Sequence, residues 1–501
     1  MNALTKYKLE IVVFISGALV MILEILGSRI LAPYIGTSVF VWTSLIGVVL
    51  ASLALGYRIG GKLADKSVSF DYLAKILMYA QIALILTSLF QAGLMRFLTL
   101  TWPNLDIRLV ATLAGTILFA PASVLFGIVS PYCVKLKLNS LADSGSTVGN
   151  LYALSTLGSI TGTFLTGFVL FSYFKTTQIL FFLILALGVL SIFVSTKGKI
   201  FFVKLGLIIL SLVLFFSNEL DLRLFEKNGF IDTDTAYNRI WIFDTKEEDG
   251  RVRRNMLIDK SSSSAMYLDN GESPFSYVKY FGASDYYVKD PKKTLMIGGA
   301  AFTFPTNYLK EHPETSMDVV EIDSGQTDLA EKYFFLDRTN PRLAIYHEDG
   351  RTFVNKSKNK YDVIFLDAFN TLYAVPFHLV SQEFVTGISN MVEKDGIVVL
   401  NVISAVKGDK SLLFKSVYKT YGQKFKFIDV YATNFQSPET VQNVVLIVSN
   451  EQNIDRENLT DSAVFKDKID GNYLKSISNE GIVLTDEYAP VESMAFEMIK
   501  N

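Results

Sequence analysis

The chain has 501 residues, half of them hydrophobic, with a mean hydropathy of +0.33 and a formal net charge of −2. Residues 1–220 hold 15 basic and 7 acidic residues, a net of +8, and the remainder holds 32 and 42, a net of −10. A basic, apolar half joined to an acidic half excludes a simple soluble globule, and an acidic domain would repel phosphates, which argues against nucleic-acid binding.

The first half reads as a membrane domain. A bilayer core needs about 20 apolar residues per helix. Seven such stretches occur, near 9–32, 39–57, 72–95, 107–132, 148–171, 176–195 and 199–217. The first is too long for a cleavable signal peptide, and further spans follow directly. The N-terminus and the even-numbered loops carry Lys6, Lys8, Arg58, Lys62, Lys66, Lys135, Lys137, Lys197 and Lys199, whereas the odd loops carry little beyond Arg96, Arg108 and Lys175. The positive-inside rule places the N-terminus in the cytoplasm. Seven spans then leave the second half outside, against the cytosolic metabolite inferred below; a miscounted, re-entrant or split span would reverse that. Gly56–Asp65 reads as a tight cytoplasmic turn between spans. Gly158 and Gly162 form a small-residue ridge that serves either packing within the bundle or a homodimer seam. Glu24, inside the first span, is costly in lipid and needs a partner or a ligand.

From about residue 221 the pattern changes to strands. Asn238–Asp244 alternates and is rich in β formers, and Met256–Ile258 follows after an acidic turn, which suggests a small antiparallel sheet over 221–290. From 291 onward, short apolar strands alternate with helix-length segments: Thr294–Ile297, Met317–Val320, Leu343–Tyr346, Tyr361–Leu366 and Gly396–Asn401. That alternation predicts a parallel, doubly wound sheet over 291–501, with its ligand at the carboxyl ends of the strands.

Chemical groups stand at those ends. Gly298-Gly299 lets backbone approach a ligand. Glu321, roughly 20 residues later, is placed to accept both hydroxyls of a ribose. Asp349-Gly350 follows the third strand, where a carboxylate can accept an adenine amino group. Asp367, after the fourth, can bind a cation or take a proton. Each alone has a plainer reading, as an αβ turn, a helix cap or a surface acid; their joint placement favours a nucleotide site. The run Gly298-Gly299-Ala300-Ala301-Phe302-Thr303 lacks a full dinucleotide fingerprint, which favours a nucleoside without phosphates, such as S-adenosylmethionine. One cysteine, Cys133, and three scattered histidines exclude a disulfide framework and make a metal site unexpected.

The run from Leu295 to about Val402 resembles the spermidine synthase (aminopropyltransferase) family. The matching pieces are Ile297-Gly298-Gly299, Val320–Asp323, Ala330–Phe334, Asp349–Phe353 and Tyr361–Asp367. Upstream, Thr235–Ile240 resembles that family's N-terminal strand segment. Leu484–Glu492, Gly27–Ser38 and Leu151–Ser159 are similar to its membrane-fused branch. The resemblance implies a methyltransferase-type Rossmann-like fold that binds S-adenosylmethionine or its decarboxylated form as substrate, with no tightly bound cofactor. Glu321 would hold the ribose and Asp349 the adenine. Asp367 matches the first acid of the catalytic Asp-x-x-Asp loop, and Tyr237 would meet the substrate beside it. Two acids of the pattern are missing: Ala301 stands in the glycine loop and Asn370 in the catalytic loop. Asn370 can accept a hydrogen bond but cannot take a proton.

The expected protein is therefore a membrane-anchored, spermidine-synthase-like transferase, with a nucleoside donor and a polyamine as small-molecule partners. The missing acids leave a lyase or methyltransferase reaction on S-adenosylmethionine open. A transporter or sensor of a small cation, with Glu24 as its key residue, is the rival from another class.

Overall fold

The computed structural model describes residues 7–102, 105–138, 144–197, 200–259, 261–368, 375–434, 436–451, 477–478 and 480–499. It divides into two compact units, 1–240 and 241–501.

In the first unit the helices are α1 (Lys8–Ile35), α2 (Val39–Lys66), α3 (Phe70–Thr101), α4 (Ile107–Leu118), α5 (Ala120–Lys137), α6 (Ser144–Leu165), α7 (Thr176–Val194) and α8 (Ile200–Lys227). Helix α6 continues through a π-helical turn to Tyr173. Among the described residues six helices are long and apolar enough to cross a membrane, counting that extension of α6; α4 and α5 pass the same test only as a pair bent by 55°. The stretch expected as one span at 107–132 is thus split. Pro121 has no N–H to donate and crowds the preceding turn, so the ladder breaks there. Thr87 of α3 donates its hydroxyl to the freed Leu118 carbonyl at 2.6 Å.

The turn expected at Gly56–Asp65 is helical instead, because α2 runs on to Lys66. Its glycines serve close packing. A Cβ on Gly56 would lie 2.3 Å from the Val124 carbonyl of α5, and one on Gly60 2.8 Å from that of Ile128. The Gly158/Gly162 ridge of α6 is likewise occupied from within the unit. Added Cβ atoms would meet the Phe14 and Ala18 carbonyls of α1 at 2.0 and 2.4 Å. Small residues let helices touch backbone to backbone.

Strands β1 (Ile231–Asp234), β2 (Arg239–Lys246), β3 (Val252–Ile258) and β4 (Ser261–Tyr267) form a sheet in that order. A seven-stranded sheet follows, from β5 (Lys293–Ile297), β6 (Ser316–Val320), β7 (Leu343–Tyr346), β8 (Tyr361–Leu366), β9 (Val392–Ser404), β10 (Phe427–Ala432) and β11 (Gln442–Ser449). Its order is β10-β11-β9-β8-β5-β6-β7. The five strands β5 to β9 are parallel, as the alternating pattern predicts. Strand β11 is antiparallel between β9 and β10. This is the Rossmann-like, methyltransferase-type sheet. Helices α9 (Thr303–Glu311), α10 (Ser324–Tyr333), α11 (Gly350–Lys356), α12 (Gln382–Met391) and α13 (Leu412–Tyr421) connect it, and α14 (Val491–Ile499) follows. Alternate faces of the sheet build two apolar cores, one around Leu295, Ile364 and Leu400, the other around Met296, Phe365 and Val399. Strand order reverses between β5 and β8, and a ligand crevice opens at such a switch point.

Candidate functional site

A cavity of about 350 Å³ lies at that switch point. Gly298, Gly299 and Ala300 line it from the turn after β5, Glu321 from the end of β6 and Asp367 from the end of β8. Three of the acids and glycine turns expected at strand ends therefore meet.

The loop after β5 is held in an uncommon shape. Gly298, Ala300 and Phe302 have φ of 94°, 44° and 56°. For Ala300 and Phe302 this left-handed backbone costs about 1–2 kcal/mol each. The surroundings enforce it. The Phe302 ring is fully buried against Gly299, where a Cβ would sit 2.8 Å from it. Glu321 accepts the Gly299 and Ala300 N–H groups on Oε2 at 2.8 and 3.1 Å, and the Asp323 N–H on Oε1 at 2.9 Å. Burial pushes the Glu321 carboxyl above the ordinary range, and these three N–H donors partly offset that. Gly298 permits a closer contact still: a Cβ there would stand 2.4 Å from the Asp367 carbonyl oxygen.

Asp367 is fixed on both oxygens. Tyr277 O–H donates to Oδ2 at 2.8 Å and Asn401 Nδ2 donates to Oδ1 at 3.0 Å. Asn443 in turn donates to Asn401 Oδ1 at 3.0 Å, so the amide of Asn401 has one orientation. Burial raises the Asp367 carboxyl, and its two donors lower it in part. The Tyr277 hydroxyl is pushed well above its usual value, by burial first and by the Asp367 charge second. The site thus holds a carboxyl that keeps a proton more readily than a surface carboxylate, beside a tyrosine that stays protonated.

Asp349 and Gly350 stand at the end of β7 and are not among the residues lining this cavity. Asp349 caps α11, accepting the Thr352 N–H at 2.9 Å, and its other oxygen meets His378 Nε2 at 3.1 Å. Gly350 packs on the end of β5, where a Cβ would be 2.7 Å from Ile297. Ile297 also borders a small apolar hollow with Leu366, Ala368, Pro376 and Leu379. Tyr237 belongs to the first unit and is half exposed. Asn370 lies outside the described residues. Ala301 is fully buried, and Ala300 and Thr303 face the cavity. Among the described residues no group of three or more His, Cys, Asp or Glu side chains could hold a metal ion.

Sequence reasoning missed Tyr277 and Asn443 and took Asn401 only as a strand end. It also missed the wall formed by Ser261, Ser262, Ser263 and Ser264 of β4. Asn401 had a legible signal, since it closes the apolar run Ile397–Leu400 as Asp367 closes that of β8. Tyr277 had none, because its place depends on a helix of six residues, Ser276–Phe281.

Residues 281–460 match the spermine/spermidine synthase domain family. Among curated relatives, the polyamine aminopropyltransferase of Vibrio vulnificus is 29% identical over 178 residues, which are 34% of this chain and 55% of the relative. That of Alkaliphilus metalliredigens is 33% identical over 111 residues, covering 22% and 39%. The chain thus spans about half the length of the curated relatives it matches, or less. Among solved structures, spermidine synthase from Thermotoga maritima aligns at 21% identity with a TM-score of 0.37, over 54% of this chain and 84% of that one. With a methyltransferase-type sheet around the cavity and the family match laid across it, residues 281–460 carry a spermine/spermidine synthase domain, and a region of long apolar helices precedes it.

Proposed function

We propose that the second half is a transferase of the aminopropyltransferase type. Its donor is a sulfonium nucleoside, S-adenosylmethionine or the decarboxylated form, bound as substrate without a resident cofactor. The helical half anchors the chain in a membrane. One observation carries this reading: the Gly298–Gly299 loop, Glu321 and the twice-hydrogen-bonded Asp367 converge on one cavity from three adjacent parallel strands.

Each residue then has a task. Glu321 already receives three N–H groups, but a carboxylate has about four acceptor sites, so it can still take a ribose hydroxyl. Asp349 stands outside the cavity lining, so its place at the base is carried by the family resemblance alone. The sulfonium is the electrophile and is activated by its own charge. An amine lone pair attacks the donor carbon bonded to sulfur. The C–S bond breaks, its electron pair stays on sulfur, and methylthioadenosine leaves. The ammonium formed gives a proton to Asp367, which Tyr277 and Asn401 hold in place. Positioning and exclusion of water supply most of the acceleration in such a step.

A second reading has a specific observation in its favour. The cavity lining includes the hydroxyls of Ser261 to Ser264, Ser273 and Thr303, and among the described residues that line it only Glu321 and Asp367 are charged. The sequence from Ala368 to Gln382 contains no acid. A donor chain bearing both ammonium and carboxylate is internally neutral and suits such a wall. That favours undecarboxylated S-adenosylmethionine, as in a lyase or methyltransferase. Incubating the purified full chain with each donor, with and without putrescine, and identifying products by mass spectrometry separates the two. Methylthioadenosine from the decarboxylated donor plus amine supports aminopropyl transfer. Product from S-adenosylmethionine alone supports the second reading. No product with any donor overturns both.

A further inference from the structure

The contacts within the first unit fix the parity of the bundle. At one end, Lys8 of α1 donates to the Val194 carbonyl at the foot of α7 at 3.0 Å. Lys137, the last residue of α5, pairs with Glu10 of α1, and Lys135 pairs with Asp65 of α2 at 3.3 Å. Tyr132 of α5 binds the turn between α2 and α3, accepting the Ser69 N–H and donating to the Ser67 carbonyl, each at 3.0 Å. Lys204 of α8 donates to the Ser191 and Ser195 carbonyls at 3.1 and 2.9 Å. The starts of α1, α3 and α8 and the ends of α2, α5 and α7 therefore share one rim.

The other rim is equally defined. Arg29 of α1 stacks on Phe171, past the end of α6, at 3.9 Å and donates to the Thr235 and Ala236 carbonyls. Gln178 of α7 donates to Glu219 of α8 at 3.0 Å, and the Thr176 N–H donates to Asp234 of β1 at 2.5 Å. Ser44, near the start of α2, donates to the Arg108 carbonyl near the start of α4 at 3.5 Å. Helix α4 thus begins at this rim and α5 ends at the first. The bent pair runs from rim to rim as one broken span, not as a re-entrant loop. The helices then make seven crossings, and the chain leaves the bundle opposite Lys8.

Charge assigns the rims to sides. Arg58, Lys62, Lys66, Lys135, Lys137 and Lys197 cluster with Lys8 at the first rim. The second rim holds Arg29, Arg96, Arg108 and Lys175, and the foot of α8 adds Arg223 and Lys227, against seven at the first rim counting Lys8, with Lys204 beside them. Basic residues in short loops stay in the cytoplasm. We infer that the synthase domain lies on the non-cytosolic face of the membrane, and that its sulfonium nucleoside is drawn from that side. A step that carries the nucleoside out of the cytosol must then precede this reaction.

The test uses the full chain in intact cells. Its one native cysteine, Cys133, is buried in α5. Asp269→Cys, in the exposed turn after β4, and Lys62→Cys, at the basic rim, each add a single accessible thiol. With a membrane-impermeant maleimide, Asp269→Cys is expected to label in intact cells and Lys62→Cys only after lysis. The reverse pattern overturns the inference. The readout is independent of catalysis, so a failed activity assay leaves it standing.

Discussion

Asp367 carries the sharpest expectations. Asparagine in its place can still accept from Asn401 and can donate to the Tyr277 oxygen, so shape is kept while the base is lost. Turnover should fall by about 10²–10⁴-fold, measured as methylthioadenosine release. As the proposed base, Asp367 works only when ionised, so the rate should fall as pH drops through its raised value. Stability has the opposite sign. A carboxyl whose pKa rises on folding contributes stability while protonated, and loses it as pH climbs through the folded-state value. Asp367→Asn is therefore expected to raise Tm at neutral pH by about 2–4 °C, read by thermal unfolding. Glu321→Gln behaves differently, because its new NH₂ must face one of three backbone N–H donors. Both nucleoside binding, by calorimetry, and Tm should fall.

Among elements, the C-terminal segment explains a motif that sequence alone left without a task. Asp486 accepts from Arg351 at 2.7 Å and from Ser381, while Gln382 N–H donates to the Leu484 carbonyl at 2.7 Å. Arg351 follows directly on Asp349-Gly350 and also donates to the His378 carbonyl. The segment after β8, the start of α11 and the chain terminus are thus pinned by one guanidinium. Asp486→Ala should raise KM for the donor by about three- to tenfold with a smaller change in kcat, as expected of a positioning residue. In the helical half, Thr87→Val leaves the Leu118 carbonyl at the break without its donor. Apolar surroundings make that costly, about 1–3 kcal/mol, read as a lower unfolding temperature in detergent. The parallel strands and their end groups were legible because period and spacing are local properties. The helical run through Gly56–Asp65 was not, since its glycines answer to α5, some 70 residues away in sequence.

For the whole molecule, the apolar first half predicts that the chain pellets with membranes and resists alkaline carbonate extraction, which immunoblotting of fractions would check. Hydropathy and charge change near residue 220 in the sequence, whereas the first compact unit runs on to residue 240 and takes in β1. Sequence could not decide whether 107–137 crosses, because a bend depends on Pro121 while a crossing depends on which ends meet. Nor could it bring Tyr277 and Asn443 to Asp367, as both arrive by tertiary packing from segments with no motif of their own. The abutment of Gly298 on the Asp367 carbonyl has one more result. Two strand termini touch there with no room for a side chain between them, and a φ of 94° bars one independently. Position 298 is closed to drift, and saturation mutagenesis under selection for turnover should return glycine alone.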